Sequence, residues 1–262
     1  MSIKLVKDKK ILESFFRKNA ALNIYQLGDL DDFYWHQTNF YGYYESEELK
    51  SIVMIFKEVN PNVVIALCDI EDLPYLNKVL ELMSDTLPDK IYLHITPGAE
   101  KSLEKKYNFK HEGLYMKMDL KVKEKIYSVE TNNVEQLSIK NKAELSAFYD
   151  EAYPGNSYIE RMLETGMFFG IREEGKIVSV SGIHVYSPEY KVAALGSITT
   201  HPNYRGKGSA TKVTACLCKE LLKKIEVIGL NVHSQNSSAV HCYEKLGFVK
   251  IADYLEITAI CK

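Results

Sequence analysis

The pattern of hydrophobic and polar positions predicts alternating strands and helices in the second half of the chain. Apolar runs bounded by turn residues indicate strands, and apolar positions at helical spacing indicate helices. The predicted order is a helix within Val134–Tyr153, strands Met167–Glu173, Lys176–Tyr186 and Tyr190–Thr199, a helix whose apolar face is Ala210, Val213, Thr214, Leu217 and Leu221, a strand Val227–Val232, and a short helix Asn236–Leu246. This order predicts a mixed α/β fold.

The first half of the chain repeats parts of this pattern. Three stretches match in the same order: EELKSIV (Glu47–Val53) with EEGKIVS (Glu173–Ser179), IYLHI (Ile91–Ile95) with IGLNV (Ile228–Val232), and EKKYNFKHEGLYMKM with YEKLGFVKIADYLEI, which end at Met118 and Ile257. We therefore predict two copies of one α/β unit, joined near Leu120–Ser128, as domains 1–122 and 126–262.

Composition then limits the class of protein. The chain has 262 residues, 46% of them hydrophobic and 26% charged, which is typical of a globular protein that buries a core. A net charge of −2 argues against a general binder of nucleic acid or membrane surfaces. The five cysteines show no zinc spacing, the N-terminus is charged throughout and no apolar run could span a membrane. We expect a cytoplasmic protein with reduced thiols and no metal.

A glycine-containing segment, Arg205-Gly206-Lys207-Gly208-Ser209, follows the strand Tyr190–Thr199 and precedes a helix. It is not a nucleotide P-loop, because His201 and Gly208 stand where that motif needs Gly and Ser or Thr. A strand that leads through glycines into a helix still presents free N–H groups and the positive end of the helix to an anion. The segment therefore predicts a phosphate-bearing ligand.

Two linked motifs resemble the GCN5-related N-acetyltransferase (GNAT) superfamily. THPNYRGKGSA is followed about thirty residues later by Asn236, Ala239, Tyr243, Gly247 and Phe248 at the family's N-x-x-A-x-x-x-Y-x-x-x-G-F spacing. The resemblance covers Val134–Glu256 and is nearest to the branch with glycine N-acyltransferase-like proteins. It implies an α/β fold with a mixed sheet and two GNAT-like domains in tandem. The N-terminal copy would be degenerate, since its equivalent stretch Ala66–Leu80 has no glycine loop.

The resemblance also implies how acetyl-CoA, the expected co-substrate, would bind. The loop amides would hold its pyrophosphate and the preceding strand would pair with its pantetheine arm, one N–H polarising the thioester carbonyl. The implied cofactor-binding residues are Ile198, Thr199, Thr200, Arg205, Gly206, Lys207, Gly208, Ser209, Ala210, Asn236 and Tyr243. Lys207 could instead be solvated, and Asn236 could only cap its helix.

Proton transfer has one clear candidate and several open ones. In the family, the tyrosine that matches Tyr243 donates a proton to the departing sulfur; the alternative is a core tyrosine. Family members often carry a Glu on the strand before the loop, but VAALGSIT has no carboxylate. His184, Glu164 and, more weakly, His233 are candidate bases, and a water chain to the backbone is the alternative.

The acceptor side is the least determined. The segment Tyr149–Phe169 corresponds to the family's variable acceptor-flanking region, in which we expect Tyr153, Asn156, Tyr158 and Arg161 to line the site. Tyr25–Tyr44, with eight aromatic and three acidic residues, could offer a cationic amine a second surface, although packing of the first half is the favoured interpretation.

These features predict an acetyltransferase that moves an acetyl group to a small-molecule amine by direct attack. Two alternatives stay open: a non-catalytic acyl-CoA-binding or regulatory module, and an acyltransferase with a longer acyl donor. The sequence leaves a monomer and a homodimer open.

Overall fold

The computed structural model describes residues 2–156 and 158–262. The strands are β1 (Ser2–Leu5), β2 (Thr38–Glu45), β3 (Glu48–Phe56), β4 (Asn62–Ala66), β5 (Lys90–Ile95), β6 (Tyr107–Leu120), β7 (Glu135–Leu137), β8 (Phe168–Glu173), β9 (Lys176–Ser187), β10 (Val192–Thr200), β11 (Val227–His233) and β12 (Phe248–Cys261). The helices are α1 (Lys9–Phe16), α2 (Ile24–Gly28), α3 (Asp32–Trp35), α4 (Leu73–Met83), α5 (Glu124–Tyr127), α6 (Lys142–Ala152), α7 (Ser209–Leu221) and α8 (Ser237–Lys245).

The chain forms two compact units. The first contains the residues up to Lys117 together with residues 233–235 and 251–262. The second contains residues 118–232 and 236–250. The end of the chain thus belongs to the first unit, because β12 leaves the second unit after Lys250. The predicted domain boundaries, at 122 and 126, stay a prediction.

The first unit is a mixed sheet in the order β1-β2-β3-β4-β5-β12-β6. Leu76, Val79 and Leu80 of α4 bury one face of this sheet, in the same apolar cluster as Leu93 and Ile95 of β5. Aromatic residues of the Tyr25–Tyr44 segment are buried as well: Tyr34, Phe40 and Tyr43. These three side chains therefore pack the unit, as the favoured interpretation of that segment expects.

The first unit also buries a cluster of polar groups. The Glu256 carboxylate accepts hydrogen bonds from the hydroxyls of Tyr92 and, at 2.6 Å, Tyr254. The Lys117 ammonium lies 5.0 Å from the ring centre of Tyr25 and 5.5 Å from that of Tyr254. Lys117 is only 3% exposed, so its charge has lost most of its contact with water. Burial lowers the pKa of its ammonium to about 7, although the nearby Glu256 carboxylate opposes the shift.

The second unit is a sheet in the order β11-β10-β9-β8-β7. Strands β10 and β11 are parallel, and the other pairs are antiparallel. The helix α7 crosses from β10 to β11 and packs Val213 against Ile171 and Val178. Its position between two parallel strands places the β10–α7 loop at the carboxyl end of β10, where α/β sheets commonly bind ligands.

The helix predicted within Val134–Tyr153 begins later than the apolar spacing suggests. Residues Glu135–Leu137 form β7 and pair with β8, Leu137 lying opposite Phe168. Ser138 and Asn141 then form a capping box, and α6 begins at Lys142. A single apolar residue such as Leu137 is compatible with the hydrophobic spacing of a strand and with that of a helix. The pairing with β8 makes this segment a strand.

A partly exposed network of ion pairs joins α6 to β8. The Arg172 guanidinium donates to the carboxylate of Glu144 on α6 through both terminal nitrogens, with Nη2 to Oε2 at 2.6 Å. Its Nε donates to Glu135 Oε1 at 2.6 Å. Bidentate pairing of this kind fixes direction as well as distance, so it orients α6 across the sheet.

Within the described residues, no helix is long and apolar enough to cross a membrane.

Candidate active site

The β10–α7 loop keeps its glycines in a conformation that other residues adopt only with strain. Gly206 and Gly208 both have φ of +79°. Gly208 directly precedes α7, and among the described residues no side chain caps the first turn of that helix. The N–H groups at the start of this 13-residue helix therefore stay available, at its positive end, for an anionic ligand.

The two cations of the loop lie close to its backbone. Arg205 Nε donates to the carbonyl of Thr200 at 3.2 Å, which folds the side chain back onto the end of β10. Lys207 Nζ lies 3.3 Å from Glu173 Oε2 and 5.1 Å from the centre of the Tyr204 ring. Lys207 is thus paired rather than simply solvated. Both side chains add positive potential locally.

Strand β10 leaves its neighbour β11 half way along. The paired residues run from Val192 opposite Val227 to Leu195 opposite Leu230. Strand β10 continues to Thr200, and among the described residues its later part has no register partner on β11. The part of β10 after Leu195 therefore has one edge that β11 does not cover, where an extended ligand can form backbone hydrogen bonds.

A bulge in β10 accompanies this separation. The register with β9 shifts between Gly196 and Thr199, and Ser197 has φ of +52°. The Thr199 hydroxyl is buried and forms no hydrogen bond with another described residue. The Thr200 hydroxyl pairs with that of Ser179 at 2.8 Å. Of the predicted cofactor residues, Ile198 thus belongs to the bulge, and Thr199 and Thr200 lie between the bulge and the glycine loop.

Tyr149 of α6 reaches this bulge, and the sequence analysis did not predict it. Its hydroxyl donates to the Ser197 carbonyl at 2.6 Å. Tyr149 is 1% exposed, so its ring packs in the core. The only sequence signal for a further role is that a buried tyrosine needs a partner for its hydroxyl.

Tyr243 lies on α8, which is attached to the start of α7. The Cys242 thiol and the Thr211 hydroxyl lie 3.2 Å apart, so α8 adjoins the first turn of α7. Tyr243 is 8% exposed, and its ring meets Phe248 edge-on at 6.1 Å. Burial raises the pKa of this phenol well above its usual range, so it holds its proton at neutral pH.

Asn236 caps the helix that carries Tyr243. Its Oδ1 accepts from the Ala239 N–H at 3.2 Å and from the Ser238 hydroxyl at 3.1 Å. The capping interpretation of Asn236 therefore accounts for its side-chain oxygen, and a contact with the cofactor stays a prediction.

The three candidate bases lie in different surroundings. His184 on β9 rests on Gly196: a Cβ added to that glycine would meet the imidazole Cδ2 at 2.2 Å. Only glycine allows this close contact, and it places the ring beside the first β10 residue beyond the pairing with β11. Glu164 is exposed, and no hydrogen bond or ion pair with another described residue involves it. His233 belongs to the first unit, where it contacts Tyr115 edge-on at 4.9 Å.

The four predicted acceptor residues are not equivalent. Tyr153 ends α6 and is 54% exposed, and the Asn156 side chain bonds to its carbonyl at 2.9 Å. Tyr158 stacks on Tyr149 at 4.8 Å, and burial, with a smaller effect of Glu160, raises the pKa of its phenol to about 12. The Tyr158 hydroxyl is buried and unbonded within the described part of the chain. Arg161 is half-buried.

Among the described residues, no group of three or more His, Cys, Asp or Glu side chains is arranged to hold a metal ion.

Comparison with known proteins gives a consistent result. The model of the acetyltransferase (GNAT) family matches residues 134–248. A search of curated proteins gave no match. The overall structure is similar to a GNAT-family acetyltransferase from Colwellia psychrerythraea, with 15% identity, TM-score 0.59, and 99% of this chain and 100% of that one covered.

Two further solved structures cover almost the whole chain. A tandem GNAT protein from the clavulanic acid biosynthesis pathway has 10% identity and a TM-score of 0.57, with 99% of this chain and 98% of that one covered. A Drosophila protein has 11% identity and a TM-score of 0.73, with 98% of each chain covered. At these identities the likeness concerns the fold. The predicted mixed α/β fold with GNAT-like domains in tandem is confirmed, and the branch within the family stays a prediction.

Proposed function

Because residues 134–248 form a domain of the acetyltransferase (GNAT) family, whose members are acyltransferases, we propose that this domain acetylates the amine of a small molecule from acetyl-CoA. The main support for the proposal is that two features suited to acetyl-CoA lie next to each other at the end of β10. The open edge of β10 leads directly into an uncapped, glycine-containing helix start. Acetyl-CoA has an extended amide-bearing arm and a pyrophosphate in the same order.

The loop residues would hold the phosphates. The N–H groups at the uncapped start of α7 would donate to them, and Gly206 and Gly208 let the backbone approach closely. Arg205 and Lys207 stay near enough to balance part of the phosphate charge. When bound, acetyl-CoA supplies a thioester, a carbonyl that an amine can attack directly.

The strand residues would place and polarise that carbonyl. Ile198, in the bulge, and Thr200, at the end of the strand, both lie on the part of β10 that β11 leaves unpaired. An N–H fixed there would stabilise negative charge on the carbonyl oxygen as the amine attacks.

Two side chains would move protons. The His184 imidazole, at the point where β10 leaves β11, is positioned to take a proton from the acceptor ammonium. The buried and protonated Tyr243 hydroxyl would donate to the sulfur as the thiol departs. Glu164, exposed and without a bonded neighbour among the described residues, is the weaker candidate for a base.

The acceptor would enter on the α6 side of β10. Tyr158, stacked on Tyr149, offers a buried hydroxyl there, while the exposed Tyr153, with Asn156 and the half-buried Arg161, would border the entrance.

The test is thiol release from acetyl-CoA in the presence of a panel of small primary amines, with wild type and Tyr243→Phe. We expect the variant to lower kcat at least about tenfold and to change the acetyl-CoA Kd less than about twofold, because the hydroxyl acts on the leaving group. Tyr127→Phe, at an exposed tyrosine of α5, is the control.

Unchanged turnover in Tyr243→Phe would remove this residue from the mechanism. Tight binding of acetyl-CoA with no thiol release for any amine would favour a non-catalytic acyl-CoA-binding module. A preference for longer donors in an acyl-CoA series would keep the enzyme and change its acyl group.

A further inference from the structure

The bulge of β10 contains a serine in a conformation that costs energy. Ser197 has φ of +52°, in the left-handed region that residues with a Cβ avoid. On the β9 side, the register skips from Gly196 to Thr199, so Ser197 and Ile198 have no register partner there. Some other interaction must keep the backbone in this state.

Tyr149 supplies that interaction. Its hydroxyl donates to the carbonyl of Ser197 itself, at 2.6 Å, from a ring that is 1% exposed. Burial raises the pKa of this phenol well above its usual range, so the donor keeps its proton. The ring is held by Tyr158, which stacks on it at 4.8 Å, and by Phe148, edge-on at 5.4 Å. The donor is therefore fixed in place before any ligand binds.

We propose that Tyr149 is a positioning residue that holds the β10 bulge and thereby sets how well the open strand edge binds the acyl-bearing arm of acetyl-CoA. The inference rests on the proposed function. It assigns to α6 a role at the strand, rather than only at the acceptor. The hydrogen bond holds the Ser197 carbonyl toward α6, and this would fix the course of the backbone that follows along the edge that β11 leaves open.

The inference predicts different effects on the binding of whole acetyl-CoA and of its nucleotide part alone. Tyr149→Phe keeps the ring and removes only the donor, so we expect at least about a fivefold rise in the Kd for acetyl-CoA, the effect of one hydrogen bond. The nucleotide part alone, adenosine 3′-phosphate 5′-diphosphate, meets the glycine loop and does not reach the bulge. Its Kd is expected to change less than about twofold. Titration calorimetry measures both.

A matched control exists in the first unit. The Tyr107 hydroxyl donates to the Pro88 carbonyl at 2.7 Å, and Tyr107 is 2% exposed. Tyr107→Phe removes an equivalent buried hydrogen bond and is expected to leave both Kd values unchanged. Weaker binding of both ligands by Tyr149→Phe would show general damage to the fold and would overturn the inference.

A second variant tests the role of the bulge itself. Glycine adopts positive φ without the cost of a Cβ, so Ser197→Gly added to Tyr149→Phe should recover part of the lost acetyl-CoA affinity. The double variant also serves if Tyr149→Phe alone is too unstable to purify; its Kd for acetyl-CoA should then lie within about threefold of wild type.

The outcomes separate the two proposals. Failure of wild type to bind acetyl-CoA would overturn the proposed function and this inference together. Wild-type binding with an unchanged acetyl-CoA Kd in Tyr149→Phe would overturn the inference alone.

Discussion

At the scale of single residues, His184 is held where a base would be useful. Its imidazole lies against the backbone of Gly196, and that contact depends on the absence of a side chain at residue 196. Residue 196 is therefore a glycine because any larger side chain would collide with the His184 ring. The sequence could suggest His184 by residue type, but it could not bring together two residues on neighbouring strands.

His184→Gln tests the role of this ring. We expect kcat/KM to fall about a hundredfold and its dependence on pH to change, because the variant lacks the group that would take the proton. The acceptor should have an amine pKa above about 9, so that its own titration lies outside the pH range measured. The control is His241→Gln, at an exposed histidine of α8. An unchanged pH profile would exclude His184 as the base.

Lys117 in the first unit links stability to pH. Its pKa is lowered to about 7 in the folded protein and is about 10.4 in an unfolded chain. Between these values the unfolded chain binds the proton and the folded protein does not. The free energy of unfolding should therefore rise with pH from 7 to about 9.5, by up to about 1.4 kcal/mol per pH unit. Above this range tyrosines titrate in the unfolded chain, because burial raises the pKa of Tyr25 and Tyr254 in the folded protein.

Urea unfolding at several pH values, followed by the fluorescence of Trp35, measures this slope, because the only tryptophan of the chain lies in the first unit. Lys117→Met should remove the rise. Lys106→Met is the control, since the Lys106 ammonium is half-buried and donates to the carbonyls of Ser84 and Leu87. A slope that survives in Lys117→Met would contradict the assignment.

Among the helices and loops, the glycine loop, α7 and α8 could be predicted from the sequence. Their sequence signals are local: the glycines of the loop, apolar residues at helical spacing in α7, and the capping residue Asn236 before α8. The short strand β7 could not, since only its pairing with β8 distinguishes it from the start of a helix. The bond from Tyr149 to Ser197 joins residues 48 apart in sequence, and no local pattern reports it.

Gly208→Ala tests whether the loop conformation serves the ligand. Its φ of +79° strains any other residue, by about 1 kcal/mol, although no atom lies within 4 Å of the new Cβ. We expect the Kd for acetyl-CoA to rise at least about tenfold, since the N–H groups at the start of α7 would shift.

The matched control is Gly175→Ala in the β8–β9 turn. Gly175 has φ of +80° and equally open surroundings, so it should lose similar stability and keep acetyl-CoA affinity. Equal Kd values for the two variants would show that the loop conformation is not used in binding.

At the scale of the whole molecule, the two units share an order of elements and differ where the ligand would bind. In the first unit, β4 pairs with β5 along its full length, from Asn62 opposite Ile91 to Ala66 opposite Ile95. Thr96 continues the pairing, because its N–H donates to the Ala66 carbonyl at 3.0 Å and its hydroxyl accepts from the Cys68 N–H at 3.0 Å. In the first unit, β5 and Thr96 thus cover the strand edge that corresponds to the open edge of β10.

The loop that follows this strand also differs between the two units, in the charge of its side chains. Where the second unit has Arg205 to Ser209, the first has Asp69, Glu71 and Asp72 before α4, which would repel a pyrophosphate. The repeat predicted from sequence thus extends to the order of elements, while the closed strand edge could be seen only in the structure. Both features support the proposal that the first unit does not bind coenzyme A.

Calorimetric titration of the whole chain with acetyl-CoA tests whether the second unit binds the cofactor. We expect one site per chain with a Kd in the micromolar range, which corresponds to a binding free energy of about −8 kcal/mol. Two equivalent sites would contradict the assignment of binding to the second unit, and no detectable binding would contradict the proposed function.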